Sequence, residues 1–166
     1  HTLSPAEARA MRRSTGGKLS ASHVKIEDIK IKTRDDASVT VRNYEPLAGG
    51  YNATILYIHG GGWVINSIET SHASCLEIVK KAGYRVVSVD YRLAPEYKFP
   101  IPVYDCHDAY LWLRKDEAER VKFGSPAVPI FIAGDSAGGN LASAVTQLPF
   151  GEQIAGQILL YPVASL

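Results

Sequence analysis

From residue 53 onward, short apolar runs alternate with stretches of helical character. Helical stretches are predicted at residues 71–81, 104–120 and 137–148. Four apolar runs lack the strict alternation of a half-buried strand and are typical of strands buried on both faces: residues 53–58, 85–89, 128–133 and 156–160. Strands that alternate with helices predict an α/β fold with a mostly parallel sheet and helices on both faces.

The first 50 residues have a different pattern. Ser4 is placed to cap a helix, with Pro5 at its first position and Glu7 in its first turn, so residues 4–13 predict a short helix. Apolar residues then recur with a period near two over residues 24–31 and 39–44, on either side of a polar turn at residues 33–36. This arrangement predicts two antiparallel strands.

The longest predicted helix carries many charges. Ala109, Trp112 and Leu113 fall on one apolar stripe, which we expect to face the core. The charged residues point away from this stripe and are expected to form a solvated face: Arg114, Lys115, Asp116, Glu117 and Glu119.

Composition bounds the class of protein. The 166 residues are 46% hydrophobic and 21% charged, which suits one globular domain and excludes a disordered chain. A net charge of +1 lacks the positive field that nucleic-acid binding needs, and the apolar runs are shorter than the roughly 18 residues of a membrane helix. Two cysteines, Cys75 and Cys106, fit a reducing compartment, so a cytoplasmic location is expected. No leader pattern precedes the first helix, although the chain starts at His1 rather than Met.

The sequence GDSAGG at residues 134–139 follows an apolar strand and opens a helix. This is the strand–turn–helix context of the G-x-S-x-G nucleophile motif, in which glycines allow a tight turn around an exposed serine. Ser136 is therefore the candidate nucleophile. Asp135, beside it, is too close in the chain to orient a catalytic histidine and is expected to brace neighbouring backbone or charges. The alternative is a Gly-rich connection with an idle serine.

The sequence HGGGW at residues 59–63 follows another strongly apolar strand. Consecutive glycines expose backbone N–H groups and let a ligand approach closely. Taken alone, such a loop also suits phosphate binding. Together with the serine turn it predicts an oxyanion loop, which stabilises the negative charge of a tetrahedral intermediate.

These two motifs, together with DYRLAPE at residues 90–96, resemble the hormone-sensitive-lipase-like branch of the α/β-hydrolases. The resemblance implies an α/β-hydrolase fold in which Ser136 is the nucleophile and the N–H groups of Gly61, Gly62 and Ala137 form the oxyanion hole. It also implies that His59 shapes the oxyanion loop and that Trp63 lines the substrate pocket.

The same resemblance divides the chain into two segments. Residues 1–22 are expected to contribute to a cap over the site, and residues 23–166 to form the N-terminal part of the catalytic domain. Residues 90–96 are expected to brace the sheet and adjoining loops.

A serine hydrolase of this kind orders its triad along the chain as serine, acid and histidine. After Ser136 the sequence holds no histidine and no aspartate, and Glu152 is its only acid. Four of the upstream histidines, His23, His59, His72 and His107, are poorly placed to replace the missing base. The triad acid and histidine are therefore expected beyond residue 166, in the remainder of the same protein or in a completing chain.

No metal or organic cofactor is predicted. His72 and Cys75 lie three residues apart, but zinc-ligand spacing is absent, and the adjacent Cys106 and His107 diverge by about 100° on a helix. Buried structural thiols are the better interpretation of both cysteines. The G-x-G-x-x-G spacing of a dinucleotide site is also absent.

The expected function is that of a serine carboxylesterase or lipase that hydrolyses short- to medium-chain acyl esters through an acyl-enzyme. Its partner would be a small-molecule ester, and assembly as a homo-oligomer is left open. Two alternatives remain: a non-catalytic small-ligand receptor on the same fold, and an amidase or deacetylase that uses the same nucleophile.

Overall fold

The computed structural model describes residues 3–12 and 22–164. The predicted helix end at Arg13 and half of the expected cap segment, residues 1–2 and 13–21, lie outside the described residues. The strands are β1 Val24–Lys32, β2 Ser38–Pro46, β3 Thr54–Ile58, β4 Arg85–Asp90, β5 Ile130–Asp135 and β6 Gly156–Leu160. The α-helices are α1 Pro5–Arg12, α2 His72–Ala82, α3 Ile101–Lys122 and α4 Ala137–Thr146, and Gly151–Gln153 forms one 3₁₀ turn.

The strands form one twisted sheet in the order β1-β2-β4-β3-β5-β6. The pairs β4–β3, β3–β5 and β5–β6 are parallel, whereas β1, β2 and β4 are joined by antiparallel pairing. At the centre, Leu56 lies opposite Val87 on one side and Ile132 on the other. The predicted α/β fold with a mostly parallel sheet is confirmed, and the predicted hairpin extends its edge.

Helices cover both faces of the sheet, as predicted. The helices α3 and α4 pack on one face through residues that are almost fully buried, namely Cys106, Ala109, Tyr110, Leu113, Leu141, Ala142 and Val145. The helix α2 packs on the other face through Cys75, Leu76 and Val79. Each large aliphatic side chain buried in this way contributes about 1.5–3 kcal/mol to folding.

The first helix begins as its sequence predicts. The Ser4 hydroxyl accepts a hydrogen bond from the Glu7 N–H at 3.3 Å, and the Glu7 carboxylate accepts one from the Ser4 N–H at 2.7 Å. This reciprocal pair satisfies two backbone donors that a helix end would otherwise leave free.

The expectation that the charges of α3 form a solvated face is wrong for Glu117. Its carboxylate is buried, where it accepts hydrogen bonds from Arg85 at 2.8 Å and from the Thr54 hydroxyl at 2.6 Å. Arg85 is itself fully buried at the start of β4. A buried guanidinium requires anionic partners, and α3 supplies Glu117 and also Asp116, at 2.7 Å.

Two neighbouring parallel strands position the candidate site. The strands β3 and β5 run side by side, so their carboxyl ends meet at one edge of the sheet. HGGGW directly follows β3, and Ser136 directly follows β5. Within the described part of the chain, no helix is both long enough and apolar enough to cross a bilayer.

Candidate active site

Ser136 lies in a tight turn between β5 and α4. Its backbone angles, φ 52° and ψ −120°, are strained for a residue other than glycine. The turn needs glycine on both sides because a Cβ atom at Gly134 would meet the carbonyl of Gly138. A Cβ atom at Gly138 would in turn meet the carbonyls at the end of β3. The half-exposed Ser136 thus stands at the amino end of α4, with the geometry that a nucleophile elbow requires.

Hydrogen bonds to the end of β6 and to the residues that follow it hold this turn in place. The Ser136 N–H donates to the Leu160 carbonyl at 2.9 Å, and the Val163 N–H donates to the Ser136 carbonyl at 3.2 Å. The Asn140 side chain adds a bond to the Val163 carbonyl at 2.9 Å. The end of β6 therefore fixes the serine backbone.

In the glycine loop after β3, two successive carbonyl groups are held. The Gly60 carbonyl accepts hydrogen bonds from His59 Nδ1 at 2.8 Å and Asn66 Nδ2 at 3.0 Å. The Gly61 carbonyl accepts the N–H groups of Val64 at 3.1 Å and Ile65 at 3.0 Å. Fixing a carbonyl also fixes the N–H of the same planar peptide unit. The N–H groups of Gly61 and Gly62 consequently have set directions.

Asp135 joins the two loops. Its Oδ1 atom accepts the Gly60 N–H at 3.1 Å and the Tyr57 hydroxyl at 2.9 Å. Burial raises the pKa of Tyr57, so this phenol remains a donor at neutral pH. The aspartate next to the serine therefore links the oxyanion loop to β3 and β5.

His59 is a buried part of its own loop. Its ring stacks on Tyr91 with centroids 4.4 Å apart, and the Tyr91 hydroxyl donates to the His59 carbonyl at 2.9 Å. Because the Gly60 carbonyl can only accept, the His59 Nδ1 atom carries the proton. Burial lowers the pKa of the ring, and within residues 3–12 and 22–164 its Nε2 atom has no hydrogen-bond partner. The side chain is thus neutral and committed to the Gly60 carbonyl.

The other described histidines have different environments. His72 Nδ1 lies 3.0 Å from the Tyr44 hydroxyl, and the His107 ring contacts Arg34 through Nδ1 and the Pro149 carbonyl through Nε2 at 2.8 Å. His23 is exposed. No described residue forms a hydrogen bond with the Ser136 hydroxyl, so a general base is missing from the portion of the site seen here.

Trp63 follows the glycines at a positive φ of 62°. Its carbonyl accepts the Ala94 N–H at 2.8 Å, and its partly buried side chain packs against the core formed with α3 and α4. The DYRLAPE segment also contacts the oxyanion loop through Tyr91, and it binds α3 through Arg92, whose guanidinium pairs with Asp105 at 2.6 Å.

The described residues do not form a metal site. Among the residues that the structure describes, no three His, Cys, Asp or Glu side chains converge as metal ligands. Cys75 and Cys106 are buried free thiols on opposite faces of the sheet, and burial raises the pKa of Cys75 to about 12. Such thiols are packing residues rather than ligands or nucleophiles.

The sequence reasoning missed two residues that support the oxyanion loop, Asn66 and Tyr91. Tyr91 lies in a motif that the sequence did single out, but its bond to the His59 carbonyl depends on the fold. Asn66 carried a weak signal, since asparagine is enriched at positive φ.

A family model described as the alpha/beta hydrolase fold matches residues 55–166. The chain therefore belongs to the α/β-hydrolase family, in its hormone-sensitive-lipase-like branch.

Curated relatives and solved structures agree with this assignment. The chain is 42% identical over 121 residues to an arylesterase of Saccharolobus solfataricus, covering 73% of this chain and 38% of the relative. It is 38% identical over 148 residues to an ethyl acetate hydrolase of Pseudomonas putida, covering 83% and 45%. A thermophilic carboxylesterase cloned from a metagenomic library superposes with a TM-score of 0.85 at 36% identity, covering 99% of this chain and 57% of that structure. The chain thus spans less than half the length of these two curated relatives.

Proposed function

We propose that the full-length protein is a serine carboxylesterase. The observation that carries this proposal is the placement of a strained serine at the end of β5 beside the glycine loop at the end of β3, with Asp135 bonded to that loop. A half-buried serine hydroxyl next to fixed backbone donors suits attack on an acyl carbon.

In the proposed reaction, the Ser136 oxygen attacks the ester carbonyl while a histidine removes its proton. The ester C–O bond then breaks, and the alcohol leaves with a proton returned by the histidine. Water hydrolyses the resulting acyl-enzyme by the same route, releasing the acid and free Ser136. We place this histidine and its carboxylate partner beyond Leu166.

The oxyanion that forms in each step is assigned to the N–H groups of Gly61, Gly62 and Ala137. Each such donor contributes roughly 3 kcal/mol to stabilising the transition state. Ala137 is the first residue of α4, so its N–H also carries the positive end of the helix dipole.

Short- to medium-chain acyl esters are the proposed substrates. Trp63 stands directly beside the proposed donors, so its indole is assigned to the substrate pocket, together with a cap to which residues 1–22 contribute. The two relatives described above are named as an arylesterase and an ethyl acetate hydrolase, and their names support this size class.

The test compares Ser136→Ala with Ser143→Ala in the full-length protein. Ser143 lies on the same helix and bonds Gln157, so it controls for removal of a hydroxyl from α4. With p-nitrophenyl acetate, Ser136→Ala should lower kcat at least roughly 10³-fold while Ser143→Ala stays near wild type. A fluorophosphonate probe should label wild type and Ser143→Ala but not Ser136→Ala.

Three results would redirect the proposal. A folded Ser136→Ala variant with most of its esterase activity would refute the nucleophile assignment. A wild-type protein that cleaves p-nitroacetanilide faster than the ester would indicate an amidase, and one that binds small esters without turnover would indicate a receptor.

A further inference from the structure

Asn66 lies outside the helices and strands, and its side chain contacts the oxyanion loop. Its Nδ2 atom donates to the Gly60 carbonyl at 3.0 Å, the same oxygen that His59 Nδ1 approaches at 2.8 Å. Two side chains therefore hold one backbone oxygen, and only His59 belongs to the HGGGW motif.

The held oxygen matters because of the group at the other end of its peptide. The Gly60 carbonyl and the Gly61 N–H belong to one planar trans unit, in which C=O and N–H point in opposite directions. Gly61 has a φ of 125° and lies in the loop between β3 and α2. The regular hydrogen bonds of a helix or strand therefore do not fix this peptide unit. The grip of Asn66 on the oxygen consequently sets the direction of the Gly61 N–H.

The backbone at Asn66 does not by itself explain an asparagine. Its φ of 74° is left-handed, and glycine adopts that conformation at less cost. The carboxamide also lowers the stability of the fold, because its Oδ1 atom is buried and accepts no hydrogen bond from any residue in the described ranges. A buried polar atom without a partner costs about 1–3 kcal/mol. The favourable contribution of this side chain is therefore the hydrogen bond that Nδ2 donates to the Gly60 carbonyl.

We propose that Asn66 is a positioning residue, whose carboxamide aims the Gly61 N–H at the oxyanion of the reacting ester. This inference rests on the proposed esterase function. It assigns to Asn66 an effect on the transition state, where charge has formed on the carbonyl oxygen, and little effect on binding of the neutral ester.

Two variants of the full-length protein separate this role from the turn conformation. Asn66→Gly keeps the left-handed backbone and removes the donor. Asn66→Asp keeps the shape but places a carboxylate, which cannot donate, against the Gly60 carbonyl. Asp36→Gly is the matched control, since Asp36 is an exposed residue of the β1–β2 turn with a φ of 61°.

Both Asn66 variants should lower kcat for p-nitrophenyl acetate about ten-fold or more, with KM within about two-fold of wild type. Asp36→Gly should leave both constants unchanged.

The outcomes also distinguish this inference from the function on which it rests. If wild type hydrolyses the ester, Ser136→Ala does not, and a folded Asn66→Gly keeps its full kcat, then the positioning role is wrong and the esterase stands. If Asn66→Gly does not fold, Asn66→Asp decides alone, and a kcat equal to that of wild type at pH 8 overturns the inference. If wild type shows no serine-dependent hydrolysis, the esterase proposal itself fails.

Discussion

Arg9 and Glu96, 87 residues apart in the chain, form a two-bond ion pair with N–O distances of 3.0 and 2.8 Å. The same guanidinium donates to the Val64 carbonyl at 2.7 Å and to the Ala94 carbonyl at 2.7 Å. One side chain of α1 thus holds the segment directly after the HGGGW glycines and the DYRLAPE segment. The N-terminal helix is thereby attached to the backbone that directly follows the glycine loop.

Replacing Arg9 should release α1 without unfolding the domain. Glu96 is exposed, and exposed ion pairs contribute about 0.2–1 kcal/mol, so Arg9→Ala should change the urea midpoint little. Amide hydrogen exchange of Pro5–Arg12 should become faster. Arg9→Lys should behave like Arg9→Ala because a single ammonium cannot reach all four acceptors. Glu96→Gln should be milder, since both carbonyl bonds remain; exchange unchanged in Arg9→Ala would contradict this attachment.

A methyl group at Gly62 should separate stability from catalysis. Gly62 has a φ of 59°, and a Cβ atom there has no neighbour within 4 Å. Gly83, the cap of α2, has a φ of 66° and equally open surroundings. Gly62→Ala and Gly83→Ala should each cost about 1 kcal/mol in the free energy of unfolding.

Only Gly62→Ala should also lower kcat, by about 10²-fold, because the methyl group stands where the substrate carbonyl approaches. Gly61 is a poorer choice, since a Cβ atom there would strike the Ile65 carbonyl. Equal kcat values for the two alanine variants would argue against an oxyanion role for Gly62.

The buried Arg85–Glu117 pair should dominate the electrostatic contribution to stability. Glu117→Ala leaves Arg85 buried with fewer acceptors and should lower the free energy of unfolding by about 3 kcal/mol, measured by urea denaturation. The control is Glu77→Ala, which breaks an exposed pair with Lys81 on α2 and should cost less than about 0.5 kcal/mol. Similar losses in the two variants would show that burial of the pair has no special weight.

His59 should make the fold sensitive to acid. Burial lowers its pKa below the 6.5 of a free histidine, although the charge of Asp90 partly opposes this shift. Below pH 6.5 the unfolded chain therefore binds a proton that the folded protein rejects, and stability falls as the pH decreases. Asparagine places an amide donor near the position of Nδ1, so His59→Asn should keep the bond to Gly60 and lose the His59 part of this dependence. The part from His72, whose pKa is also lowered by burial, remains. Urea midpoints at pH 7.5 and 5.5 test the difference, which should be absent if His59 titrates as a free histidine.

Much of the site could be predicted because its signals are local. The strained turn at Ser136 and the open backbone at Gly61 each require particular residues within a few positions of the chain. The burial of β3 and β5 on both faces is likewise visible as continuous apolar runs. Neighbouring parallel strands then bring the two loops together without further information.

The parts that sequence reasoning missed depend on partners that the pattern of residue types does not reveal. Glu117 lies four residues after Leu113 and shares its face of α3, but its charge favoured a solvent-facing prediction. Its partner Arg85, 32 residues earlier, is what allows that charge to be buried. Asn66 and Tyr91 donate hydrogen bonds to backbone carbonyls. Because every residue has a backbone carbonyl, the residue type of the acceptor does not reveal such a bond. Arg9 reaches its acceptors only after α1 has docked.

Where the start of α4 meets the end of β3, backbone lies against backbone: Gly138 lies against the carbonyls of Ile58 and His59, with no room for a side chain between them. At this contact, the distance between the Ser136 turn and the glycine loop is therefore set by backbone and does not depend on the size of a side chain. In the proposed esterase, substitutions near Trp63 would therefore change which esters fit while this backbone contact persists. Substrate preference could then change by point mutations that leave the backbone of the site in place.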